Sequence, residues 1–401
     1  MDFYGYMRPN GKAGARNYVL LLPVNRSLNF IASNVERMTR NTHHFEIPAE
    51  TGRTEVDREV IARTLIGLMN NANVGGIVLL AVKSGAGSAY KNMCAERFEE
   101  EARKTGKPFR IVYLTNVGGS YNMLGETLRL TREVLLEVSD FRRENCPLSA
   151  LTLGVKCGTS DATSGIAGNP CVGAAFDQLI RAGGTAFFSE TTEIIGAEDL
   201  VAKRAVNESV AKKILSAARH WEDKAKATGE DIRKINPIPA NIAAGISSLE
   251  EKSLGAIAKS GTSPIQDVLK YAEMPKGSGL YFVDSWMSSL SLPLCLTACG
   301  ATIMLYQMGG GKIAQHPMMP SINPTVVSPF LYLTGNAIAY SRAPDNFDFD
   351  ASPIMTEGAS IPEMGTKLLE HLSAIASGTI TKMETLNYAE QLELYMEGPV
   401  L

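Results

Sequence analysis

LTLGV (151–155) runs directly into KCGTSDATSGIAGNP (156–170), and this passage from an unbroken apolar run to a loop of small polar residues decides the fold. A short apolar run without polar alternation reads as a strand buried on both faces, the habit of parallel sheets covered by helices. Six more runs read the same way: YVLLLPV (18–24), GIVLLAV (76–82), RIVYL (110–114), TAFFS (185–189), LYFVD (280–284) and TIMLY (302–306). Helical patterns lie between them at 57–71, 88–106, 127–140 and 197–226. This alternation predicts an α/β protein, with two lobes of mostly parallel sheet and flanking helices in a Rossmann-like arrangement.

A chain of 401 residues suits two or three domains. The segment SDFRRENCPLS (139–149) is charged, holds a proline and precedes a fresh strand, so it divides an N-terminal lobe, 1–145, from a C-terminal lobe, 146–401. With 39 Lys and Arg against 42 Asp and Glu, the net charge of −3 gives no electrostatic reason for a nucleic-acid partner or an anionic membrane. Six cysteines without a CxxC spacing predict a reducing, cytoplasmic setting rather than a disulfide scaffold. Ser285 to Gln307 carries no charge, but its serines, threonines, Pro293 and Gly300 speak for a buried helix feeding a strand, not a membrane span.

In open α/β sheets ligands bind beyond the carboxyl ends of the strands. The loop after 151–155 offers Lys156, Cys157, Ser160, Asp161, Ser164 and Asn169 there, with a helix starting near Pro170. Its spacing is not that of a Walker loop. The next strand exit brings Glu190 and Glu193, carboxylates suited to acid–base work or to a hard cation; Glu193 and the nearby Glu198 are equally readable as first-turn helix acids. Asn236-Pro237-Ile238-Pro239-Ala240-Asn241 reads as a stiff loop or linker whose amides face a ligand, and it leads to Glu250 and Lys252. A third exit, MGGGK (308–312), supplies Lys312, with His316 close behind. Taken alone, these residues define a cleft for an anionic or polyol ligand and stop short of a reaction.

Together the segments resemble the altronate/galactarate dehydratase family, which also contains the large subunit of sulfolactate sulfo-lyase. The resemblance rests on Gly5-Tyr6-Met7-Arg8, Gly11-Lys12, Gly14-Ala15-Arg16-Asn17 and Pro23, on KCGTSDATSGIAGNP (156–170), on GGTAFFSETTEIIGAEDL (183–200), on NPIPAN (236–241) and on LEEKSLGAIAKSG (249–261), in order along nearly the whole chain. It implies a lyase that removes water, or sulfite, from a hydroxylated, carboxylate-bearing small molecule such as a sugar acid or sulfo acid, giving a 2-keto acid. Lys156, Lys83 or His316 would serve as base, Asp161 and Glu190 would assist the leaving group or hold a cation, and Lys312 would face developing negative charge.

The resemblance also implies iron in the sugar-acid dehydratases, and a small N-terminal domain or separate small subunit. Here Ser27, Gly52 and Ser84 stand where the family tends to have cysteines, which leaves little to hold iron; the carboxylates leave room for another divalent metal. Ile242 and Gly310 stand where a lysine and an arginine are expected. A ligand-binding paralogue that lost catalysis, and the large subunit of a two-component lyase, are the competing readings. A homo-oligomer is compatible with all of them.

Overall fold

The computed structural model describes residues 1–83, 90–310, 323–386 and 393–399. The chain opens with β1 (Asp2–Met7) and the two-residue β2 (Ala13–Gly14). A four-stranded parallel sheet follows, built from β3 (Tyr18–Pro23), β4 (Thr42–His44), β5 (Val74–Ala81) and β6 (Phe109–Tyr113) in the order β4-β3-β5-β6. β7 (Glu144–Pro147) lies in the expected linker, but it is a strand: it pairs antiparallel with β1, placing Phe3 opposite Cys146. Phe3, Ala13 and Ala15 accordingly pack in the core of the C-terminal half.

The second sheet comprises β8 (Thr152–Gly158), β9 (Thr185–Phe188), β10 (Ile265–Leu269), β11 (Gly279–Val283), β12 (Ile303–Met308), β13 (Phe330–Thr334) and β14 (Phe349–Asp350). Its order is β10-β11-β9-β8-β12-β13-β14, and every pairing is parallel. The chain leaves β8 toward β9 on one side and runs from β12 to β13 on the other. The crevice beyond the carboxyl ends of β8 and β12 is therefore a topological switch point, where open α/β sheets bind their ligands.

Local sequence chemistry explains most helix starts. Ser248 accepts a hydrogen bond from the Glu251 amide, Thr54 from Asp57 and Asn207 from Val210, each satisfying an orphan N–H of a first turn. Pro170 occupies the first turn of the helix Asn169–Arg181, as its fixed φ favours. The stretch expected to be one helix from 197 to 226 is two, Glu198–Ala202 and Glu208–Ala227, because Ala205 between them forms a β-bridge with Ile265.

The uncharged stretch 285–307 contains the helix Ser291–Cys299, every residue of which is buried, followed by β12. No helix among the described residues is long and apolar enough to cross a membrane. This helix instead seals the two halves. It packs on the helix Glu55–Asn70, where Gly67 comes so close that a Cβ would stand 2.2 Å from the Ala298 carbonyl oxygen. Asn71 and Asn73 donate across the seam to the carbonyls of Thr297, Ala301 and Thr302. One apolar core runs from β3 and β5 through this helix to β12 and β13.

Candidate active site

Lys156 and Cys157 are consecutive near the end of β8, so their side chains leave opposite faces of the sheet. Glu190, just past β9, adopts a left-handed conformation (φ 73°, ψ 65°), a strained choice for a residue with a Cβ. That turn starts the short helix Thr191–Glu193 and lets both Glu190 and Glu193 face the end of β8. Glu190 Oε1 accepts from Lys156 Nζ at 2.8 Å, and its Oε2 accepts from the Cys157 amide at 3.0 Å. The Cys157 thiol donates to Glu193 Oε2 at 2.8 Å.

Two more lysines arrive from the segment 249–261. Lys252 and Lys259 are seven residues apart, two turns along a helical course, and both point inward. Lys259 Nζ bonds Glu190 Oε2, reaches Glu193 Oε2 at 3.1 Å and Cys157 Sγ at 3.3 Å. Lys252 Nζ donates to Asn236 Oδ1 at 2.6 Å and Asn241 Oδ1 at 3.2 Å, and lies 3.7 Å from Glu193 Oε1. Lys156, Cys157, Glu190, Glu193 and Lys259 are all at most 2% exposed.

Charge states follow from these contacts. Burial opposes a charge on Lys156, but Glu190 more than reverses it and holds the lysine above its ordinary value. Lys259 is raised as well, its burial outweighed by Cys157, Glu190 and Glu193. Burial pushes the Cys157 thiol up, and Glu190 and Glu193 push it further, so sulfur keeps its hydrogen. Burial would also raise Glu193, yet Lys259, Lys252 and Lys156 draw it well below the carboxylate range. Lys156 and Lys259 are thus held as ammonium groups against Glu190 and Glu193, while the Cys157 thiol stays neutral.

Around this cluster lies a polar wall. Asp161 caps the turn after β8: Oδ1 accepts from the Thr163 hydroxyl (2.6 Å) and the Ser164 amide (3.1 Å), and Oδ2 from Asn336 Nδ2 (2.8 Å). Ser160 Oγ stands 4.0 Å from Cys157 Sγ, and its carbonyl accepts from Asn241 Nδ2 at 2.9 Å. Ser164 opens a π-helical turn, Ser164–Gly168, a feature frequent at functional sites. Its glycines allow close approach: Gly165 abuts Gly255, and Gly168 abuts the Gln307 amide. Asn169 Nδ2 donates to the Gly255 carbonyl at 2.8 Å. Asn169 Oδ1, Asn236 Nδ2 and both amide atoms of Gln307 are buried without a hydrogen-bond partner, and Gln307 is the strand neighbour of Cys157. Buried polar atoms in such a state invite a polar ligand.

Of the residues singled out by sequence, Lys156, Cys157, Glu190, Glu193, Asn236, Asn241 and Lys252 come together, with Ser160, Asp161, Ser164 and Asn169 beside them. Glu250 does not join them. It is the helix's outward-facing second residue, exposed and bonded to Arg233, because Lys252 two positions on takes the inner face. Lys83 is exposed at the end of β5. His316, Lys312 and Ser84 lie outside the described residues. The segment 236–241 is not a plain loop: Pro239–Ala243 is helical, and Asn236 and Asn241 both accept from Lys252. Lys259 is not singled out by the sequence, although its seven-residue spacing from Lys252 is visible there. Asn336 and Gln307 carried no local signal.

A cleft of about 560 Å³ lies elsewhere, at the sheet-edge strand β14 and the start of the helix Ile361–Ala376, lined by Asp350, Glu357, Glu363 and Lys367 among others. Nothing in it converges as the lysine–glutamate cluster does, so it is not the candidate site. The opening motif is architectural too. Arg8 Nε donates to the Ala72 carbonyl (2.7 Å), and Arg16 grips Glu384 with two bonds of 2.7 Å.

The family model for D-galactarate/altronate dehydratase, C-terminal, matches residues 148–399, and that for the D-galactarate dehydratase/altronate hydrolase second domain matches 5–139. The chain belongs to this family and is a lyase. It is 32% identical to the (2R)-sulfolactate sulfo-lyase subunit beta of Chromohalobacter salexigens over 97% of this chain and 96% of that protein. It is 29% identical to the altronate dehydratase of Bacillus subtilis, covering 100% of this chain and 78% of that one. With the galactarate dehydratase (L-threo-forming) of Escherichia coli the identity is 30%, over 99% and 77%.

The iron implied for the sugar-acid dehydratases can be tested against these residues. Cys157, Glu190 and Glu193 present donor atoms within 4.8 Å of one another. All three, however, already hydrogen-bond Lys259, and the side-chain nitrogens of Lys156 and Lys252 stand against the same carboxylates. Of the positions where cysteines are expected, Ser27 is exposed and Gly52 has no side chain to donate. The donor set as it stands does not fit a resident iron.

Proposed function

We propose that this chain eliminates water, or sulfite, from a small acid bearing a carboxylate and a neighbouring hydroxyl, giving a 2-keto acid. The observation that carries this reading is the convergence of the buried Lys156, Lys252 and Lys259 with the unpaired polar atoms of Asn169, Asn236 and Gln307 at the switch point. Such groups receive a substrate carboxylate and its hydroxyls at lower cost than an apolar pocket would.

Elimination breaks the bond from C2 to its hydrogen and the bond from C3 to the leaving group, and the enol so formed tautomerises to the keto acid. As the C2 proton departs, negative charge spreads onto the carboxylate. The fixed ammonium groups of Lys156 and Lys259 lie ready for that charge and need no reorganisation. The base is assigned to Lys252 rather than Lys156. Lys156 is locked to Glu190, whereas Lys252 bonds two neutral amide oxygens and stands 3.7 Å from Glu193, so it gives up the least ion pairing in shedding a proton to solvent to become the amine that takes the C2 hydrogen. Asp161, held by Ser164 and Asn336, is assigned to the leaving group with Ser160. Asn169, Asn236 and Gln307 supply unpaired polar atoms for the substrate's hydroxyls.

The test is incubation with altronate, galactarate and 3-sulfolactate, with and without Fe²⁺ or Mg²⁺, scoring 2-keto acid and sulfite. Formation of a keto acid from at least one, abolished in Lys252→Met, is the expected result. No product under any condition would overturn the reading.

One observation favours a two-component form. The chain is 32% identical, over 97% of its length, to a protein named as a beta subunit. We infer a separately encoded small partner. Co-expression with a small protein encoded nearby, followed by sizing, should give a complex, and two independently eluting proteins would count against it.

A further inference from the structure

The three groups with metal-donor geometry are the same three that Lys259 touches. Cys157, Glu190 and Glu193 come from two separate strand exits, and Lys259 comes from the turn after the helix Leu249–Ile257. Its ammonium has three N–H bonds to give, and it has one acceptor for each: Cys157 Sγ at 3.3 Å, Glu193 Oε2 at 3.1 Å and Glu190 Oε2. A divalent ion held by thiolate and carboxylates needs donor distances near 2.0–2.3 Å, so ion and ammonium cannot share the space.

We propose that Lys259 occupies the position of a metal ion. The nest is a cation site filled by the chain's own side chain, which makes this centre independent of metal, and shortening Lys259 converts it into a divalent-metal site. Binding there would displace the Cys157 thiol hydrogen to solvent as the sulfur–metal bond forms, since a coordinating thiol ionises. The pattern of the surrounding residues agrees. With Lys259 in place an ammonium group already fills the nest, and the N-terminal half offers serine and glycine where soft ligands are expected in the family.

Cobalt(II) is the probe, because a cobalt–thiolate bond gives a near-ultraviolet charge-transfer band. The proteins are the wild type, Cys157→Ser, Lys259→Ala, Lys259→Gln and Lys259→Ala/Cys157→Ser, each checked for folding by circular dichroism. The wild type should show no band. Lys259→Ala should bind one cobalt at least a hundredfold more tightly than the wild type and show the band, and the double variant should lose it. A charge-transfer band in the wild type that disappears in Cys157→Ser overturns the proposal, as does a folded Lys259→Ala or Lys259→Gln variant that binds no cobalt. Should neither variant fold, the wild-type titration decides by the same band. The inference concerns the site of the proposed elimination, but its readout needs no turnover, so the two can fail separately.

Discussion

Cys157 donates its thiol hydrogen to Glu193 Oε2 across 2.8 Å, joining the end of β8 to the turn beyond β9. With burial and both glutamates holding the thiol up, this sulfur is no nucleophile at neutral pH. Brief treatment of the native protein with N-ethylmaleimide should label the half-exposed Cys94 and leave Cys157 unmodified. Peptide mass spectrometry checks this, and stoichiometric labelling of Cys157 in the folded protein would contradict it.

Glu190 accepts from Lys156, Lys259 and the Cys157 amide at once, fully buried. Replacing it with Gln leaves two buried ammonium groups short of a counter-charge, a change of the kind that costs about 3–5 kcal/mol. Urea unfolding of Glu190→Gln should show a much lower midpoint, with turnover lost. A wild-type midpoint would show that the network is solvated in solution.

Away from the site, Glu36 bonds both His43 and His44. Burial pushes the Glu36 carboxyl up, but the histidines outweigh it and hold it at about 2. Burial lowers His44, and Glu36 more than restores it. The carboxyl's contribution to stability is complete above its ordinary value near 4.5 and fades as pH falls toward 2. The histidine's is complete below 6.5 and fades as pH rises through its raised value. Thermal midpoints against pH should therefore be highest between those limits, and Glu36→Gln should flatten both flanks. An unchanged profile in that variant would remove the pair from the account.

Gly67→Ala places a methyl group 2.2 Å from the Ala298 carbonyl oxygen, where backbone meets backbone and no side chain can yield. The expected destabilisation is at least the ~1–3 kcal/mol of ordinary overpacking, read as a lower urea midpoint. Wild-type stability would mean that the two helices separate freely.

Much of this arrangement is legible in the chain. Seven apolar runs become strands because a strand covered on both faces has no use for polar alternation. The missed strands show why others stay hidden. β1 and β7 alternate weakly and meet only after some 140 residues of intervening chain, and β4 and β14 are too short to show a period. At the site, Lys156 and Glu190 stand at strand exits, which gives them away, and Lys252 follows the Pro/Asn segment 236–241. Lys259 sits in an unremarkable AKSG turn, and its partners are set by packing between separate segments. Gln307 looks like one polar residue near the end of an apolar strand until β8 is placed beside it.

The seam between the helices Glu55–Asn70 and Ser291–Cys299 also has a consequence for the chain as it leaves the ribosome. At roughly 5–20 residues per second, the apolar face around Gly67 is made on the order of ten seconds or more before the helix that covers it. β1 likewise waits for β7. The N-terminal half is born with this apolar face uncovered, and the face stays so until Cys299 has emerged.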